Sequence, residues 1–320
     1  MYLLELNLRL EEGLGRLPAE FRERHAAYLR QRQNDDGGFS GREGDSDLYY
    51  TGFALRSLAI LGALSPEVAA PAGEFLRRSL AQSASVVDLF SLLYSCLLVQ
   101  AGGGPNVLAD SPADWPERVA RMLEGLRTPD CGYAKAPGGG SGSTYHTFLV
   151  ALCYELLGRP LPDAAGVARF VRLRRRDDGG FVEVAPMRRS GTNPTAAAVG
   201  TLQLLARHDP LLGLRPEERA GVIDFLLAMP APEGGLRANG RVPLADLLST
   251  FTGAWTLADL GALDRLDRAA LDDYATALEL PTGGFRGGLW DGQTDVEYTF
   301  YGLGTRALLA SSVADGNPGP

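Results

Sequence analysis

Five arginines stand beside glycine-rich turns in this sequence: Arg188, Arg189, Arg237, Arg241 and Arg286. A guanidinium presents a rigid fork of N–H donors that matches phosphate oxygens two at a time, so arginines gathered at one place can hold a phosphate or diphosphate head. A second set of residues suits the other end of such a ligand. Tyr49, Tyr145, Phe251, Trp255, Tyr298 and Tyr301 all fall in strongly apolar segments. Flat rings pack well against a branched apolar chain, at roughly 0.8 kcal/mol per buried methylene. Taken singly, each ring reads as core filling; together they read as the lining of a cavity. Of the carboxylates, Glu183, Asp246, Asp295 and Glu297 are available, but no spacing singles out the pair that a glycosidase needs. His25, His146 and His208 show no metal-ligand spacing.

The segments that must position these groups are marked by glycine. Gly37-Gly38-Phe39, Gly179-Gly180-Phe181, Gly234-Gly235-Leu236 and Gly283-Gly284-Phe285 repeat one turn, with a weaker copy at Gly132-Tyr133. The steps between the aromatic or Leu positions are 94, 48, 55 and 49 residues, so one copy has lost its glycines in the first interval. Between turns the chain alternates two helical patterns. Charged, amphipathic segments cover 16–32, 66–82, 113–127, 162–175, 216–229 and 267–279, and Pro66, Pro116, Pro162 and Pro216 sit near the starts of four of them, where a missing N–H costs least. Segments apolar almost all round cover 48–63, 86–101, 144–158, 193–207, 247–262 and 296–311. Helices apolar on every face belong inside, and those with a polar face belong outside. The expected fold is all-α: an α6–α6 toroid of six helical hairpins, closed rather than an open solenoid. A single domain over 1–314 follows, with a disordered tail at 315–320. A ring of six helices is too wide for side chains to fill, which is why a cavity is expected.

The unit Gln33-Asn34-Asp35-Asp36-Gly37-Gly38-Phe39 resembles the repeat of protein prenyltransferase β subunits, and it is similar to the Gln-to-aromatic repeats of squalene and hopene cyclases. The resemblance covers nearly the whole chain. Gly234-Gly235-Leu236, Asn239-Gly240-Arg241 and Trp255-Thr256-Leu257-Ala258 look most like the type II geranylgeranyltransferase β subunit. It implies a prenyltransferase-like transferase that binds an isoprenoid diphosphate, with Arg241 in the place of the family's diphosphate arginine and Arg189 in the place of a histidine on the same group. Arg237 joins them by position. The family's neighbouring lysine falls on Leu244 and its diphosphate tyrosine on Thr252, departures that weaken such a site. Trp255, Tyr298, Tyr49 and Phe251 would line the chain's tunnel and stabilise developing positive charge through their ring faces.

The family's zinc ligands fall on Ser249, Phe251 and Tyr298, which cannot replace carboxylate, thiolate and imidazole. No zinc is expected, prenyl transfer would go to a non-thiol acceptor, and a need for magnesium stays open. The family's β subunit works with a helical-repeat α subunit, which this chain does not contain. The cyclase resemblance offers an alternative. Asp45-Ser46-Asp47 keeps two of the three acids of the cyclase motif at the start of an inner helix. Paired acids can hold a proton at neutral pH, making Asp47 the catalytic acid; a plain helix cap is the simpler role. A non-catalytic lipid-binding or scaffold subunit is the third alternative. The thioester run Cys-Gly-Glu-Gln is absent.

Composition sets outer limits. The 320 residues carry a net charge of −8, which argues against wholesale nucleic-acid binding. Cys96, Cys131 and Cys153 are odd in number and scattered, as in a reducing compartment. Met1–Glu12 lacks the basic start and apolar core of a signal peptide. Leu89–Val99, the longest strongly apolar run, is too short to span a bilayer. A cytoplasmic protein is the expectation.

Overall fold

The computed structural model describes residues 1–80 and 85–311. Among them the chain forms thirteen α-helices. The first is α1 (Tyr2–Gly15). Six amphipathic helices follow the expected outer positions: α2 (Ala19–Arg30), α4 (Pro66–Ser79), α6 (Trp115–Glu124), α8 (Ala164–Leu173), α10 (Pro216–Leu227) and α12 (Arg268–Leu278). Six apolar ones alternate with them: α3 (Leu48–Ile60), α5 (Val86–Ala101), α7 (Thr144–Leu156), α9 (Thr192–Ala206), α11 (Leu247–Asp259) and α13 (Val296–Ser311). Each inner helix packs on the next, and α13 packs back on α3, so the inner ring closes. The proposed boundary at 314 and the tail at 315–320 lie outside the described residues.

One local device builds the repeat. Gly37, Gly179, Gly234 and Gly283 all have φ between 86° and 99°, a region that costs a side chain dearly. At Gly37 a Cβ would also stand 2.1 Å from the Pro71 carbonyl oxygen. In the weaker copy Cys131 occupies this position at φ 67°. Asp36, Asp130 and Asp178 accept from the backbone N–H two residues on, so the acids of these turns hold the turn itself. The next residue is a plug: Phe39, Tyr133, Phe181, Leu236 and Phe285 are completely buried.

Each plug's N–H is held by a threonine of the following inner helix. Thr51, Thr147, Thr195, Thr250 and Thr299 accept it through Oγ1 at 2.9–3.2 Å. The last four donate the same hydroxyl to the carbonyl four residues back in their own helix. A single hydroxyl thus pegs turn to helix. The copy without glycines falls between α4 and α5, where residues 81–84 are not described.

The ring closes where the first repeat meets the last. Arg42 pairs with both Asp291 and Asp295, Tyr28 donates to Thr294 at 2.9 Å, and Tyr49 donates to Glu297 at 2.7 Å. In the outer ring Arg24 pairs with Glu279. His25, fully buried, accepts from the Gly284 N–H at Nδ1. Burial holds its pKa below the usual range, against the pull of Glu279.

The helix absent from the sequence reading is α1. It lies across the end of the ring where the inner helices finish. Tyr2 N–H donates to the Glu155 carboxylate at 2.9 Å, Glu5 pairs with Arg207, and Arg16 donates to the Ser311 carbonyl at 2.7 Å. Leu10 and Leu14 are wholly buried, and Gly13 lies so close to the Ala307 carbonyl that no Cβ would fit. The bore is therefore floored at one end.

Replacing Thr195 by Val leaves the Phe181 N–H buried without an acceptor and is expected to cost about 1–3 kcal/mol. Thr195→Ser keeps the oxygen and should cost clearly less. Urea unfolding of the two variants side by side checks the peg; equal losses would refute it.

Candidate binding cavity

Six inner helices around an open centre leave a cavity of about 400 Å³, within the ~300–1,000 Å³ usual for small-molecule sites. Its wall is aromatic: Tyr49 and Phe53 from α3, Phe90 and Tyr94 from α5, Tyr145 and Phe148 from α7, Phe251 and Trp255 from α11, Phe300 and Tyr301 from α13. The α9 wall differs, offering Asn193, Ala196 and Ala197. Those small residues leave the width that rings take elsewhere. Tyr2, Leu3 and Leu6 of α1 form the floor. Tyr2 meets Phe148 and Trp255 edge-on at 5.8 and 6.4 Å, and its hydroxyl accepts from Trp255 Nε1 at 3.0 Å.

Polar groups in this lining are few, and most are paired. Asn193 accepts from Thr252 at 2.7 Å. Glu183 accepts from the Ser143 hydroxyl and from the Tyr145 N–H. Behind Tyr49 and Tyr301 stands Glu297, which takes both phenol protons on one oxygen, at 2.7 and 3.3 Å. Burial lifts its carboxyl above the ordinary carboxylate range despite those two donors. The Tyr145 phenol is pushed up to about 12, chiefly by burial. Arg56 is the cation of the lining.

Among the expected chain-lining residues, Tyr49, Tyr145, Phe251, Trp255 and Tyr301 face this cavity together. Tyr298 stands beside it, 6.2 Å from the Tyr301 ring and with the Arg42 guanidinium 5.9 Å from its own. Asp47 caps α3, accepting the Tyr50 N–H at 2.7 Å, and Asp45 is exposed in the preceding loop. The expected diphosphate arginines do not converge on the cavity lining. Arg189 and Arg241 are exposed on separate loops. Arg237 donates to the Ala228 and Met229 carbonyls, and Arg286 donates to Ala277 in the same way. Both tie off the end of the preceding outer helix, which explains why arginine recurs at this point of the repeat.

At the positions of the family's zinc ligands, Ser249 donates to the Asp246 carboxylate, Phe251 lines the cavity and Tyr298 is a phenol. This donor set does not fit zinc. Among the described residues no three His, Cys, Asp or Glu side chains gather as a metal site. Two of the thiols are poor nucleophiles: burial pushes Cys96 up to about 12 and Cys153 higher still. Three residues that matter here were missed from sequence: Tyr2, Arg56 and Glu297 as a cavity acid. The signal for Arg56 was present, since it is a lone charge within an otherwise apolar inner helix, whereas Glu297 shares its helix with Arg306.

A closed double ring of helices enclosing an apolar, aromatic pocket defines an α/α toroid. The prenyltransferase alpha-alpha toroid domain model matches residues 6–89, 103–209 and 198–316. The chain belongs to that family. Among solved structures it is similar to Candida albicans protein geranylgeranyltransferase-I complexed with GGPP, at 14% identity over 90% of each chain and a TM-score of 0.67. It is also similar to the type II terpene cyclase MstE from Scytonema, at 15% identity, 96% and 99% coverage and a TM-score of 0.55. The alpha-1,6-mannanase GH76A of Salegentibacter sp. HEL1_6 shares the fold at 13% identity, 92% and 98% coverage and a TM-score of 0.58. No curated protein matches the chain in sequence. Among the described residues no helix is long and apolar enough to cross a membrane.

Glu297 gives a pH prediction. A carboxyl whose pKa is raised by folding destabilises the folded state once it is ionised. That penalty is absent below the unfolded value of about 4.3 and complete above the folded value. Glu297→Gln keeps an oxygen for both tyrosines and cannot ionise. Its melting temperature should exceed that of the wild type above neutrality and converge with it in acid. A variant that melts lower near neutrality and rejoins the wild type only in acid would show Glu297 to be charged and paired.

Proposed function

We propose that this protein is a prenyltransferase-like isoprenoid-binding protein, taking an isoprenoid diphosphate or a related isoprenoid lipid into its central cavity and acting on it without a zinc-bound thiol. One observation carries this: the pocket is walled by rings from five of its six inner helices and floored by α1, so its dominant chemistry is burial of an apolar chain. Family membership and the fold shared with a protein geranylgeranyltransferase support it. The side chains at the zinc positions argue for transfer to a non-thiol acceptor. The test is calorimetric titration with geranylgeranyl or farnesyl diphosphate. Saturable binding is expected in the wild type. It should fall by at least about tenfold in Ala196→Trp, whose indole would occupy the space beside α9, while thermal melting of that variant stays cooperative. A zinc chelator should change nothing. Absence of binding would sink the proposal, whereas binding with no turnover alongside any acceptor would make the chain a non-catalytic lipid-binding or scaffold subunit, for instance with an α-type partner.

A second function is favoured by the buried acid. Glu297 stands behind Tyr49, and burial raises its carboxyl above the ordinary range against the pull of that hydrogen bond, which is the direction an acid catalyst needs. A class II cyclase would use such a group to protonate an alkene, and Glu297 fits that role better than Asp47, which is engaged as a cap. Conversion of a neutral polyene, lost in Glu297→Gln and retained in Asp47→Asn, is the expected result for this function; no conversion by the wild type excludes it.

A further inference from the structure

The cavity contains a charge that nothing in the protein answers. Arg56, in the second half of α3, lines it nearer the floor than the mouth. Among the described residues Arg56 has no carboxylate partner, and its Nε is buried without a hydrogen bond. Its guanidinium lies 4.0 Å from the centre of the Phe300 ring, 5.3 Å from Phe53 and 5.8 Å from Tyr94. Ring faces return only part of the hydration that a guanidinium loses on burial.

Other polar groups in the same quarter are equally unanswered. Tyr94 is 6% exposed, and its hydroxyl, which has the Asn7 side chain of α1 beside it, finds no acceptor for its proton. Ser95 Oγ, buried and unpaired, lies 3.6 Å from where a Cβ on Gly52 would sit, one helical turn from Arg56. Buried polar atoms in folded proteins are almost always satisfied, and each exception calls for an explanation. Here two donors, Arg56 Nε and the Tyr94 hydroxyl, on two helices of one part of the cavity wall lack an acceptor, while Glu183 and Asn193 elsewhere in the lining, and Glu297 behind it, are paired. The missing partner must accept hydrogen bonds and carry negative charge.

We propose that the ligand of this cavity has an anionic head, a carboxylate or a phosphate, and that it binds head inward, with the head on Arg56 and the Tyr94 hydroxyl and the apolar chain running towards the mouth. The proposal rests on the cavity being the isoprenoid site, and it names what that site recognises. It also explains why the rim arginines need not converge: the anion is held inside. A fixed cation at this depth disfavours a ligand that develops positive charge beside it and favours one that arrives negative.

The experiment uses four ligands with one chain: geranylgeraniol, geranylgeranoic acid, geranylgeranyl phosphate and geranylgeranyl diphosphate, each titrated into wild type, Arg56→Gln, Arg56→Met and Arg241→Gln. At least one anion should bind the wild type about tenfold or more tightly than the alcohol, and the order among the three anions identifies the head. In both Arg56 variants that preference should vanish while affinity for the alcohol holds, and the unliganded variants should melt no lower than wild type because an unanswered charge has gone. Anion preference in the wild type should persist at high salt, since a buried pair is screened little. Preference that survives in the Arg56 variants, or that is lost in Arg241→Gln instead, overturns the proposal and puts the head at the rim. Equal affinity for alcohol and anions in the wild type also overturns it. If none of the four binds, the cavity assignment itself fails, and the orientation with it.

Discussion

The whole structure depends on closing a ring. Six inner helices, apolar on nearly every face, cannot expose either end of their row to water without leaving a large greasy surface behind. Packing α13 against α3 removes both ends at once. The chain then has to hold together parts 248 to 266 residues apart, and it does so with polar groups arranged around the seam: Arg42 on Asp291 and Asp295, Tyr49 on Glu297, Tyr28 on Thr294, and His25 on Gly284. These bonds give direction to a contact that hydrophobic burial alone would leave free to slide. They also bring Glu297 behind Tyr49 and Tyr301, so the same closure that completes the fold sets a half-buried acid behind two rings of the cavity wall.

Much of this was legible because the repeat is written twice, once in glycines and once in apolar periodicity. The six inner and six outer segments were found within a few residues of their ends. What escaped notice has physical reasons. The threonine pegs follow their plugs by 12 residues in the first copy and 14 in the others, a spacing that links a turn to the following helix and has no meaning until both are folded. Helix α1 is not part of the repeat, and its short pattern carries no glycine punctuation. The aromatic lining could be named because rings on all-apolar helices have few places to go. The rim arginines looked like a cluster because they recur, yet recurrence in a repeat protein first reflects what every hairpin needs, and Arg237 and Arg286 do the same job on successive outer helices.

The distribution of polarity inside the cavity separates shape from recognition. Rings from many helices make a surface that would accept almost any apolar chain, and families built on this toroid differ in what they place among the rings. In this chain Asn193 and Thr252 satisfy each other, Glu183 is occupied at the mouth, and Glu297 is wrapped by two phenols. The unbalanced remainder is Arg56 with its neighbours, and under the proposal above selectivity comes from that small region rather than from the aromatic wall.

Helix α1 adds something the repeats cannot supply. Because the floor is a separate piece, held to the ring by Glu155, Arg207 and Ser311 and fitted against Ala307, the depth of the pocket is not tied to the geometry of the hairpins. A shorter or longer side chain at Tyr2 or Leu6 would reset how deep a bound molecule can seat, with the twelve-helix frame untouched. A stop of this kind can be moved by single substitutions, which offers an easy route to ligands of different size.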